Sequence, residues 1–197
     1  MRAILWLLLI LLPWPAAASE NDPAATVRRF SEALLTAMKQ GPALGYKGRV
    51  TLLAPAVEDL FAVPTMAGLA LGPNTGRLTP EQSQRLVGAF RQWTVANYAS
   101  QFAEWNGERF EVDPPLPTGD AVVVPSRIVP RHGDVIRLDY VMREIDGRQR
   151  AVDVLLQGSV SQMAVRRSEF VSVVRRQGFD ALIDLLEQRT AALAQTE

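Results

Sequence analysis

The sequence predicts an α+β fold in which an antiparallel sheet is covered by helices on one face. Three observations predict it. Apolar residues recur at helical spacing over about 22–105. After Asn106-Gly107 the apolar period becomes two, and it stays so to about residue 157. Helical spacing then returns over about 161–195.

The helical part starts at Asp22-Pro23, a cap followed by a first-turn proline. Val27, Phe30, Leu34 and Met38 form its apolar stripe, and Gly41-Pro42 is expected to end it. A weaker helical stretch runs from about Tyr46 to Leu53, with a short piece over Val57 to Phe61 after Pro55. Pro64 opens another helix carrying Met66, Leu69 and Leu71, and residues 72–76 form a turn cluster. Thr79-Pro80-Glu81-Gln82 is a capping box. The helix it starts is expected to reach about Trp105, with Leu86, Phe90 and Trp93 on one face.

Arg109 to Val112 reads as a strand, and Pro114-Pro115-Leu116-Pro117 as a stiff linker. Ala121 to Val129 reads as a strand broken by Pro125, at an edge or a bulge. In the next strand Ile136, Leu138, Tyr140 and Met142 alternate with Arg137, Asp139 and Arg143. Asp146-Gly147 is a hairpin turn. The following strand places Arg150, Val152, Val154 and Leu156 on one face. Two C-terminal helices follow, one with Met163, Phe170, Val173 and Val174, the other with Leu182, Ile183 and Leu186.

The N-terminus carries an address. Arg2, an apolar run over Ala3 to Leu12, Pro13-Trp14-Pro15 and Ala16-Ala17-Ala18 read as a cleavable signal peptide over residues 1–18. A run of ten residues spans ~15 Å, about half a bilayer core, so it is too short for an anchor. Residues 19–197 are then expected to form one secreted domain.

Among the 197 residues, 21 Lys and Arg balance 21 Asp and Glu. That neutrality argues against nucleic acid as a partner. With no cysteine, thiol catalysis, cysteine metal sites and a lipid-modified cysteine are excluded. One histidine, His132, leaves little for a histidine-based triad, and no metal spacing is present. His132 lies in a turn composition, and Asp139 reads as part of a solvated strand face. Arg166-Arg167 and Arg175-Arg176 read as solvated flanks of an amphipathic helix. Three functions stay open: a carrier with an apolar cavity, an enzyme using Asp139 or His132, and an interaction subunit with a solid core.

Three stretches together carry a resemblance. They are Asp59 to Ala67 with Leu78-Thr79-Pro80-Glu81-Gln82, then Phe90 to Phe102, then Asp153 to Ser161 with Arg167-Ser168-Glu169-Phe170. The chain resembles the MlaC-type periplasmic phospholipid-binding proteins, also called toluene-tolerance proteins, most nearly the hopanoid-associated HpnM branch. The resemblance covers nearly the whole chain after the signal peptide. It implies a small twisted sheet like that of nuclear transport factor 2, and lipid tails held between sheet and helices. It implies a monomeric lipid shuttle with no catalysis and no cofactor beyond its bound phospholipid or hopanoid. The implied partners are an inner-membrane transporter, of ABC type with an MCE subunit or of RND type, and an outer-membrane lipoprotein complex. Two positions depart from the family pattern: Gln149 stands where a tryptophan is usual, and Gln157 where an acid is usual.

The apolar faces that would surround such a cavity supply the expected lining. From the helices these are Phe61, Met66, Leu69, Phe90, Trp93, Phe170 and Val174. From the sheet they are Ile136, Leu138, Tyr140, Met142, Val152 and Val154. Burying each CH₂ contributes about 0.8 kcal/mol, so a lipid of roughly thirty methylenes carries a gross transfer term of order 20 kcal/mol. Apolar walls alone would hold it.

Overall fold

The computed structural model describes residues 21–195, so the expected signal peptide lies outside the described residues. Helix α1 spans Pro23–Leu60 and α2 spans Val63–Leu71, followed by a 3-10 turn over Gly72–Arg77. Helix α3 spans Pro80–Gln101. Seven short strands come next: β1 Arg109–Val112, β2 Leu116–Thr118, β3 Ala121–Val124, β4 Ser126–Val129, β5 Ile136–Ile145, β6 Arg148–Leu156 and β7 Val160–Ser161. Helices α4, Gln162–Gln177, and α5, Phe179–Ala194, close the chain.

The helix starts follow their capping residues. Asp22 accepts from the Ala24 N–H at 2.9 Å. Thr79 and Gln82 exchange both bonds of the capping box, at 3.2 and 3.0 Å. Gly41-Pro42 does not end α1. The helix breaks instead at Gly45, whose φ of 59° and ψ of 178° suit glycine. Gly41 has a packing role: a β-carbon there would meet the Ala103 carbonyl oxygen at 1.7 Å. α3 ends at Gln101, short of Trp105, because Phe102 leaves the helical conformation.

All strand pairings are antiparallel. β5 is central, with β6 on one side and both β3 and β4 on the other. Pro125 splits one bent strand into β3 and β4, and this strand is interior, not an edge. Its carbonyl accepts from the Asp113 N–H at 2.9 Å. The expected proline linker contains β2, where Pro117 faces Val122 on the outermost strand. An outermost position tolerates the missing N–H.

Between β5 and β6 the register shifts at Val141/Met142: Val141 faces Asp153, while Met142 faces Ala151. Val152 is therefore the extra residue of a bulge. The shift carries Ala151 onto the buried face and takes Arg150 off it. Arg150 instead donates to the Glu58 carbonyl at 2.6 Å.

The helices lie on one face of the sheet, with α1 and α4 against β6 and α3 packed between α1, α2 and α5. A chain of aromatic rings runs through the interface. Phe30 meets Phe61, Tyr98 and Tyr140, with ring centroids 5.4, 5.0 and 6.5 Å away. No described helix is long and apolar enough to cross a membrane.

Candidate functional site

Alternation along paired strands builds the first wall of a cavity. Leu138 faces Leu156, and Tyr140 faces Val154, so all four share one side of the sheet. Leu138, Val154 and Leu156 line a cavity of about 340 Å³. The opposite wall is one face of α3, Phe90, Trp93, Thr94, Asn97, Tyr98 and Gln101, continued by Phe102 just past its end. Phe61, Met66 of α2, and Gln162, Met163 and Arg166 of α4 complete the lining. Small-molecule sites occupy about 300–1,000 Å³, so the volume suffices for an organic ligand.

Local interactions fix each wall. The α1–α2 junction is hooked to the sheet by a parallel bridge between Phe61 and Ala151, with the Ala62 N–H donating to the Ala151 carbonyl at 2.9 Å. Asp153 fixes the start of α4. Its Oδ1 accepts from the Val154 N–H at 2.7 Å and the Met163 N–H at 3.0 Å, and its Oδ2 accepts from the Ser161 hydroxyl. The Ser161 hydroxyl oxygen in turn accepts from the Ala164 N–H at 2.9 Å. Met163 and Arg166 are thereby set against the cavity.

The polar side chains of the α3 wall bond mostly to their own helix. Thr94 donates to the Phe90 carbonyl at 2.7 Å, and Asn97 donates to the Trp93 carbonyl at 2.8 Å. Burial, with a smaller contribution from Tyr140, pushes the Tyr98 phenol well above its usual range. Burial does the same to Tyr140. Both phenols are neutral at working pH.

Of the expected lining, the structure brings Phe61, Met66, Phe90, Trp93, Leu138 and Val154 together at the cavity. The other seven lie elsewhere. Tyr140, Met142 and Phe170 are almost fully buried in the core behind it. Met142 faces Ala151, where the Phe61 bridge closes the helices onto the sheet. Phe170 packs edge-on against Phe90 at 6.3 Å. Val152 is the bulge residue, and Ile136, 41 % exposed, pairs with Ile128 at the far start of β5. Leu69 is half-buried and offers its carbonyl to Arg167 Nε at 2.8 Å. Val174 lines a separate surface hollow with Asn74, Arg77, Gln82 and Arg175. That hollow is larger, about 490 Å³; Leu78, Val171 and Phe179 also line it, and Arg77 and Arg175 stand exposed at its edge.

Sequence reasoning missed Thr94, Asn97, Gln101 and Arg166 as cavity residues, and also Tyr98, Phe102, Leu156, Gln162 and Met163. The first three continue the Phe90 and Trp93 stripe at helical spacing, and that interruption by polar residues was the available signal. Arg166, expected on a solvated flank, lies with its guanidinium carbon 4.4 Å from the Trp93 ring centroid.

The groups considered for catalysis do not meet here. His132 sits on an exposed bend. Asp139 is not on a solvated face; it is 3 % exposed. Arg137, two residues away on the same face, folds over it with contacts of 2.7–3.1 Å. Neither lines the cavity, and no cluster of potential metal ligands occurs among the described residues.

A family model described as MlaC protein matches residues 28–188, which include every wall of the cavity. The chain belongs to the MlaC family. Its fold is similar to that of a phospholipid-binding protein from Ralstonia solanacearum, a structure solved in complex with a phospholipid. The TM-score is 0.76 at 23 % identity, over 88 % of this chain and 99 % of that one. At that identity the likeness shows the fold alone, and the α+β architecture of this MlaC-family chain is the one shared.

Proposed function

We propose that this chain is a periplasmic lipid shuttle that holds the tails of a phospholipid or hopanoid in the cavity between sheet and α3. One observation carries the reading: in an MlaC-family fold, a cavity of about 340 Å³, open on one side, is lined mainly by aromatic and aliphatic side chains. The space favours a carrier over an interaction subunit with a solid core. The placement of His132 and Asp139 outside the cavity weighs against an enzyme.

The signal peptide read over residues 1–18 supports a place between two membranes. The partners proposed are an inner-membrane transporter, of ABC type with an MCE subunit or of RND type, and an outer-membrane lipoprotein complex, with the carrier moving between them as a monomer. The gross transfer term of order 20 kcal/mol makes lipid nearly insoluble in the water layer, which is the need a carrier meets.

Organic extraction of the purified protein, followed by mass spectrometry, is expected to return about one lipid per chain. A lipid-free preparation that takes up nothing from vesicles of phosphatidylethanolamine and phosphatidylglycerol overturns the reading. The extracted species also separates phospholipid from hopanoid.

A further inference from the structure

Three charged side chains meet at the edge of the cavity. Arg166 is on its wall. Glu169, one turn later on α4, stands 3.7 Å from Arg166 Nη1 and makes a closer bond to Arg189 of α5. Two guanidinium groups thus share one carboxylate, and the group of three carries a net positive charge.

Arg166 is the less satisfied of the two arginines. A separation of 3.7 Å is too long for a strong hydrogen bond. One face of its guanidinium is covered by Trp93, 4.4 Å away. Burial lowers its pKa, Glu169 opposes that and Arg189 adds to it, yet an arginine stays charged at working pH. The side chain keeps 29 % exposure, so its N–H edge is reachable from the cavity's open side.

The start of α4 does not compete for an anion. Its Met163 and Ala164 amides are already taken by Asp153 and Ser161. Gln162, one turn before Arg166 on the same helical face, adds a neutral polar group to the lining.

We propose that Arg166 is an anion-recognition residue that pairs with the phosphate of a lipid headgroup while the tails lie in the cavity. The site then selects phosphorylated amphiphiles over neutral ones of the same tail, including neutral triterpenes. This rests on the lipid-carrier reading above and adds a headgroup class to it. A planar guanidinium suits a phosphate because two N–H groups can meet two oxygens. Trp93 holds the guanidinium plane in place beforehand.

The test uses delipidated full-length mature protein and two probes, 1-palmitoyl lysophosphatidic acid and 1-palmitoylglycerol. They share tail and glycerol and differ by the phosphate. Titrations followed by tryptophan fluorescence, from Trp93 with the exposed Trp105 as background, and by calorimetry are expected to favour the phosphorylated probe about tenfold or more in the wild type. Arg166→Gln is expected to bring the ratio of the two affinities near one, whatever common change the altered lining makes to both. Arg166→Lys, which keeps the charge but loses the planar fork stacked on Trp93, is expected to keep only part of the preference. Should R166Q not fold, Arg166→Met, which keeps an unbranched apolar stem against Trp93, supplies the same comparison.

Inorganic phosphate at millimolar concentration is expected to leave the preference intact. If it binds at Arg166 as tightly as the lysophosphatidic acid does, the lipid assignment is overturned. Equal affinities in the wild type, or a preference unchanged in R166Q, overturn the role of Arg166 and leave lipid carriage standing. Binding of neither probe by the wild type overturns both.

Discussion

Gly41 in α1 packs so tightly on Ala103 that a β-carbon there would lie 1.7 Å from the Ala103 carbonyl oxygen. No side-chain adjustment relieves a clash with backbone. Gly41→Ala is therefore expected to destabilise the fold by about 3 kcal/mol, an overpacking cost. Gly88 in the middle of α3 has nothing within 4 Å of such an atom. Gly88→Ala is expected to stabilise by about 0.5–1 kcal/mol through helix propensity. Urea unfolding of the two variants checks both signs.

The same junction holds a buried cation. Arg49 is 2 % exposed and donates Nε to the Ala99 carbonyl at 2.8 Å and Nη1 to the Gly41 carbonyl at 3.2 Å. It ties the second half of α1 to the end of α3. Arg49→Met keeps the bulk but leaves both carbonyls short of these donors. A loss of about 3 kcal/mol in unfolding free energy is expected.

Leu138 stands on the sheet wall of the cavity, half-buried. Leu138→Trp would place an indole in the space that a ligand needs. Bound lipid, measured by extraction and mass spectrometry, is expected to fall about tenfold. The melting temperature is expected to stay within a few degrees, because the added bulk enters a void and not a packed core.

Much of this arrangement was legible. The capping box at Thr79 and Gln82 and the β5–β6 hairpin follow from local chemistry. Asp146 and Gly147 both take positive φ, 52° and 74°, as a tight two-residue turn requires. Most of the misses are tertiary. Gly41-Pro42 looked like a helix stop because nothing local reveals Ala103 against it. A strict period of two put Arg150 beside Val152 and Val154, and the bulge at Val152 undid that parity. Arg166 looked solvated because helical periodicity names a face without naming its neighbour. Asp139 is a local miss: alternation put it on one face with Arg137 but did not show that Arg137 folds over it.

The three-charge group at the cavity edge has an acid signature. The hydrogen bond from Arg189 holds the Glu169 carboxyl below its usual range, with the charges of Arg189 and Arg166 assisting and burial opposing. A carboxylate whose folded pKa is depressed stabilises the fold above its unfolded value, near pH 4.3. That contribution is lost as pH falls through the folded value. Glu169→Gln is expected to be less stable than the wild type at pH 7, and the gap is expected to close below about pH 4. Paired urea titrations at pH 7 and pH 3 measure it.

The internal bonds of the α3 wall bear on how fast a cargo leaves. Thr94 and Asn97 spend donors on the carbonyls of Phe90 and Trp93. The Gln101 amide, the Tyr98 hydroxyl and the second Asn97 N–H are the donors left on that side for the ester oxygens of an acyl chain. Beyond those, a tail in the cavity is held by contact area, which is lost gradually as it slides out. Each step of a tail's withdrawal is small, so the proposed Arg166–phosphate pair is the one bond whose rupture would set a barrier. Such a wall has low friction, and under the proposed carrier role the cavity would gain from that as much as from its capacity.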